Sequence, residues 1–215
     1  MYFNDGIKIT SDNIGNNINS ICCFEKYVNH LGSTDNFTQT ETSGNGTAST
    51  DTANHKMDLS TGITNAGYSK FETKKSCNNI NTLISNIIID SIQNGIGGTR
   101  KTLIGFANDF SSSSTEGAFF LHDNDNNWYT IIKDNNNTYI KAISSPINDD
   151  NLSIIIKKNT DRKIGFYING ILIIEGIYGT FTSTLKCGGS VITTVGVTTE
   201  RLISINSLNL EVIYN

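Results

Sequence analysis

Apolar and polar residues alternate with period two along much of the chain. Capped windows with apolar residues at i, i+3, i+4 and i+7 are missing, so strands and not helices are expected. In 152–158, Leu152, Ile154 and Ile156 share one face. In 162–169, Ile164, Phe166 and Ile168 share one face, with Lys163 and Tyr167 on the other. Asn169-Gly170 sits between that segment and 171–175, and both residues tolerate the positive φ of a two-residue hairpin turn. Upstream, 117–122 and 128–133 flank Asp123-Asn-Asp-Asn-Asn127, which predicts a hairpin with a five-residue loop. A third turn at 134–137 precedes a strand at 138–143. Further strands are expected at 83–92 and 102–109, and a long one at 202–214 is interrupted near Asn206. Strands at this spacing indicate a sandwich or jelly roll. Residues 32–54, rich in Ser, Thr, Gly and Asn, read as a long polar loop or arm, and 95–98 and 111–115 as shorter links. No repeat or shift of composition divides the chain, so residues 1–215 are expected to form a single domain.

Composition narrows the function. With one proline against 19 glycines, the turns fall to Gly, Asn and Asp. The net charge is −4 and no basic cluster tracks a phosphate backbone, so nucleic acid is not expected as a partner. No apolar run reaches the roughly 20 residues of a membrane helix, and no membrane partner is expected. The first ten residues lack a basic start followed by a long apolar core, and no secretory leader is read there. Cys22, Cys23, Cys77 and Cys187 include no C-x-x-C pair. They are expected to be reduced, small apolar residues and not a zinc site or a disulfide framework.

Several segments, in order, resemble the concanavalin A-like lectin/glucanase fold, in particular the versions found in tailed-bacteriophage virion proteins. His55-Lys-Met-Asp-Leu-Ser-Thr-Gly62 looks like a strand near the start of that module, and Leu103-Ile-Gly-Phe-Ala-Asn-Asp109, Gly117-Ala-Phe-Phe120 and Asn127-Trp-Tyr129 follow. The most specific piece, Lys163-Ile-Gly-Phe-Tyr-Ile-Asn-Gly-Ile-Leu-Ile173, resembles a hairpin of laminin-G-like and related jelly rolls, and 202–210 takes the place of the family's final strand. The resemblance spans residues 47–214 and implies an all-β, concanavalin A-like jelly-roll sandwich of two antiparallel sheets. It does not choose among lectins, glycosidases and capsid parts, which share the fold.

Catalytic chemistry is mostly absent from the pattern. The related glucanases carry E-x-D-x-x-E on one strand, and a retaining glycosidase needs two carboxylates about 5 Å apart. No such run exists here: Glu116, Glu175 and Glu211 stand alone. Of His30, His55 and His122, only His122 lies near carboxylates, and it reads as a rim residue of a hairpin. Oxygen-rich Asp123, Asp125 and Asn127 could hold calcium, although such loops usually satisfy their own backbone and lack EF-hand spacing. Trp128 and Tyr129 could contact a glycan, although a lone tryptophan in a strand is more often core. No catalytic residue and no organic cofactor is read.

The expectation drawn from the resemblance is a non-enzymatic virion structural protein, a capsid decoration, head-fibre or tail component assembled in the host cytoplasm. It would contact other virion proteins and itself, and reach host-surface glycans if it binds any. The alternative is a carbohydrate-binding, lectin-like adhesion module; a glycoside hydrolase is the third and weakest reading.

Overall fold

The computed structural model describes residues 23–30, 38–51, 53, 56–63, 67–73, 80–93, 100–111, 116–123, 127–135, 137–143, 152–158, 163–177, 181–193 and 200–214. Fifteen β-strands run through them, and no helix occurs among the described residues. They are β1 Cys23–His30, β2 Thr38–Ser43, β3 Thr47–Asp51, β4 Lys56–Ser60, β5 Gly67–Thr73, β6 Ile80–Gln93, β7 Arg100–Ala107 and β8 Gly117–His122, then β9 Trp128–Lys133, β10 Thr138–Ala142, β11 Leu152–Lys158, β12 Lys163–Ile168, β13 Ile171–Ile177, β14 Lys186–Thr193 and β15 Leu202–Tyr214.

The fold is a two-sheet antiparallel sandwich of the jelly-roll kind. One sheet runs β13-β12-β11-β6-β15-β4-β3, with β1 added along β15; the other runs β10-β9-β8-β7-β14-β5-β2. The 13-residue β15 organises the first sheet. It pairs with β6 on one side, and on the other with β4 over Leu202 to Ile205 and with β1 over Ser207 to Tyr214. The predicted irregularity is real: pairing with β6 shifts between Ile205 and Ser207, so Asn206 has no register partner.

Period-two alternation builds the core. Ile154, Ile156, Ile164, Phe166 and Ile168 are all buried, as their spacing predicts, while the side chain of Leu152 lies outside the described residues. They meet Ile104, Phe106, Phe120 and Trp128 from the facing sheet in one cluster. Cys187 is a buried cysteine in this core, outside any disulfide. A second, smaller cluster covers the outer face of β7–β9, where Leu103, Phe119, Leu121 and Ile131 pack with Phe110. Asn169 (φ 50°) and Gly170 (φ 79°) both adopt the left-handed region, so the β12–β13 hairpin has the expected turn.

Residues 38–51 correct the expectation of a loop. β2 and β3 are edge strands of opposite sheets, and the turn between them, with the Gly46 N–H donating to the Ser43 carbonyl at 3.1 Å, carries the chain from one sheet to the other. Their residues are largely exposed, so nothing apolar marks them as strands.

Candidate functional site

The β8–β9 hairpin carries the residues singled out for calcium and glycan. Its turn is closed by the Asp123 N–H donating to the Asn127 carbonyl at 3.1 Å. Asp123 is half-buried, Asn127 is exposed, and Asp125 lies outside the described residues. Among the described residues no group of three or more His, Cys, Asp or Glu is placed to hold a metal. Two loop residues fall far short of the six to eight oxygens calcium takes, so the described part of the loop does not fit the ion.

Trp128 is not a sugar platform. It is 4% exposed and meets Phe120 edge-on, with centroids 6.2 Å apart, and His122 at 4.8 Å. Alternation turns it to the interior and its neighbour Tyr129 to the outer face, where Tyr129 is half-buried against the second cluster. His122 is no rim residue either. It is buried, its ring pairs with the Arg201 guanidinium, and Arg201 also donates from Nε to Thr102 Oγ1 at 2.6 Å. This group fastens β7, β8 and the start of β15.

Carboxylates among the described residues are engaged with protein groups. Glu116 accepts from the backbone N–H of Thr182 (2.6 Å) and of Ser183 (2.9 Å), tying the start of β8 to the approach to β14. Burial pushes its carboxyl upward, but these hydrogen bonds outweigh it and hold the group below the usual carboxylate range. Glu200 bonds Ser60, and Asp58 bonds Ser204. On the outer face of β2, β5 and β14 runs a charge chain. Lys70 lies 3.1 Å from Glu41 and 3.3 Å from Glu72, and Glu72 lies 2.6 Å from Lys186. The Tyr68 hydroxyl, then Lys70, holds the Glu41 carboxyl low. Desolvation pulls Lys70 down, yet Glu41 and Glu72 keep it above its ordinary value. The side chain of Glu211 is outside the described residues.

Among the described residues a concavity lies elsewhere, at the mouth of the sandwich between the edge strands β10 and β13. Its volume is about 390 Å³. Ile132, Phe166 and Ile174 form an apolar floor, and Thr130, Tyr139, Lys141 and Glu175 line its sides. Tyr139 pairs in register with Ile132 and Lys141 with Thr130, so both project from β10 on the inner side of their sheet. Gly176 brings the sheets together at one end: a Cβ there would sit 2.4 Å from Ile132 Cδ1. Glu175 is ion-paired with Lys163 at 3.4 Å. Sequence reasoning passes over this site because it joins β10 and β13, which are not neighbours in the chain; the only local signal is an aromatic residue and a lysine two apart on a strand with no buried residue.

No protein-family model matches the chain, and no curated protein matches its sequence. Solved structures do. The carbohydrate recognition domain of Emp47p aligns with a TM-score of 0.62 at 12% identity, over 85% of this chain and 93% of that domain. The exoplasmic/lumenal domain of VIP36 in its Ca2+/Man3GlcNAc-bound form gives 0.56 at 9% identity, over 81% and 82%. A sialidase gives 0.57 at 10% identity over 80% of this chain but only 16% of its own, so the shared part is one module of a larger protein. The two-sheet jelly-roll fold is thus shared with the carbohydrate recognition domain of Emp47p and the exoplasmic/lumenal domain of VIP36. Nothing in these comparisons supports a phage origin.

Proposed function

We propose that this chain is a non-enzymatic carbohydrate-binding module, which is the alternative and not the leading expectation from sequence. One observation carries the reading: the sandwich superposes on nearly the whole of a carbohydrate recognition domain, 93% of Emp47p's. Two further points support it. Among the described residues the carboxylates named above are committed to amides, hydroxyls or lysines, which leaves no facing pair for glycoside hydrolysis. The accessible groove also combines an apolar floor with hydroxyls and an exposed aromatic ring, as small-ligand sites do. The virion role has no such support.

The test is to present the purified full chain to a broad array of immobilised glycans, with calcium and with chelator, and to incubate it with chromogenic glycosides. Binding to a defined glycan class, competed by the free sugar and without release of the chromophore, is the expected result. A folded protein that binds no glycan at millimolar sugar, or that hydrolyses a glycoside, overturns the proposal.

A further inference from the structure

We infer that the groove between β10 and β13 takes an anionic sugar residue, one bearing a carboxylate or a sulfate ester, with Tyr139 against the ring and Lys141 on the charge. The inference rests on the glycan-binding reading and names the ligand class and the place.

Three observations carry it. The first is direction: on an exposed edge strand Tyr139 and Lys141 could face open solvent, yet the register with Ile132 and Thr130 turns both toward the groove. The second is availability. Among the described residues neither Tyr139 nor Lys141 has a hydrogen-bond or ion-pair partner for its side chain, and Tyr139 is 49% exposed. Glu175 pairs in register with Gly165, on the side of its sheet opposite Phe166, and is ion-paired there with Lys163 at 3.4 Å, so Lys141 is the charged side chain turned to the inner side of the groove. The third is shape. A floor of Ile132, Phe166 and Ile174 suits the apolar face of a sugar ring, and about 390 Å³ suits a ligand of one or two rings. A lysine ammonium at such a groove can give an anion a charge-assisted hydrogen bond, which is stronger than a neutral one.

The experiment is a calorimetric titration of the full chain with N-acetylneuraminic acid, methyl glucuronide, galactose 6-sulfate and uncharged methyl galactoside. It is repeated on Lys141→Met, Lys141→Arg and Tyr139→Ala. Both positions are exposed, so unchanged urea melts are expected and will certify folding. Wild type should prefer one or more anionic sugars to the uncharged one, and the carboxylate and sulfate arms separate the two sources of charge. Lys141→Met should lose about ten- to hundredfold in affinity for the anionic sugar, Lys141→Arg should retain most of it, and Tyr139→Ala should weaken charged and uncharged sugars alike. Equal binding of charged and uncharged sugars, or anionic binding untouched by Lys141→Met, overturns the inference while a positive glycan array leaves the broader reading standing. A blank array together with blank titrations removes both.

Discussion

The two lateral edges of the sandwich are built from similar short strands and end in opposite states. At the β2/β3 edge the chain itself crosses between the sheets, and the Ser69 hydroxyl on β5 donates to the Thr47 carbonyl on β3 at 2.6 Å. Gly46 lies so close to β5 that a Cβ would be 2.1 Å from the Tyr68 carbonyl oxygen. At the β10/β13 edge no described residue outside the strands bridges the sheets, and a groove lies between them. The surface follows the same division: of the six large apolar side chains exposed among the described residues, Tyr139, Ile140, Ile171, Leu172 and Ile177 lie on β10 and β13, and only Ile63 does not. An edge sealed by backbone can be polar throughout, whereas an edge left open exposes the rim of its core, and scattered apolar exposure becomes informative when it gathers in one place.

The largest effect is expected at the open edge. Phe166 is buried beneath the groove and lies 5.2 Å, edge-on, from Phe120, which in turn meets Trp128. Phe166→Ala should cost about 3–5 kcal/mol in urea unfolding and alter the emission of the lone tryptophan. A loss below about 1 kcal/mol would mean that the groove already behaves as solvent. The next comparison sets one turn glycine against the other. Gly46→Ala must displace backbone, and about 2–3 kcal/mol is expected. Gly170→Ala meets nothing within 4 Å and bears only the left-handed backbone of φ 79°, so about 1 kcal/mol is expected. Equal losses would erase the distinction between the sealed and the open edge.

The smallest effect concerns Glu41 on β2. Its carboxyl is held low by Tyr68 and Lys70, so its contribution is present above the ordinary carboxylate range and is lost as pH falls through its folded value. The side chain is 55% exposed, so Glu41→Gln should cost less than about 1 kcal/mol at neutral pH. The gap between wild type and variant should close below about pH 4, as paired melts at pH 7 and pH 3 would show. A gap that widens in acid would contradict the assigned partners.

Legibility in the sequence follows burial. β11 and β12 have one buried face and one wetter face, so their periodicity and the Asn169-Gly170 turn can be read from residues alone, as can the break at Asn206. β2 and β3 are illegible for the converse reason: Thr and Ser on two exposed faces look like a loop. β14 is masked by Gly188 and Gly189, which are required because a Cβ on Gly188 would meet the Phe71 carbonyl oxygen at 2.2 Å. Trp128 shows the limit of reading chemistry from residue type, since period two places Trp128 or Tyr129 inside but local sequence does not say which. The groove depends on β10 and β13 meeting across two sheets, a relation set by topology and carried by no contiguous motif.

The placement of β15 has a consequence for how the molecule comes into being. Residues 202–214 supply the strand on which β6, β4 and β1 all depend. Until that stretch has left the ribosome, β6 and β4 lack their shared neighbour and present unpaired backbone. The first sheet must therefore assemble after synthesis of nearly all the described chain, through pairings far apart in sequence, which is the slow route for a β protein. During that interval the nascent chain carries open strand edges able to recruit other copies, so recovery in a recombinant host should depend on temperature and chaperone capacity more than on the stability of the finished sandwich.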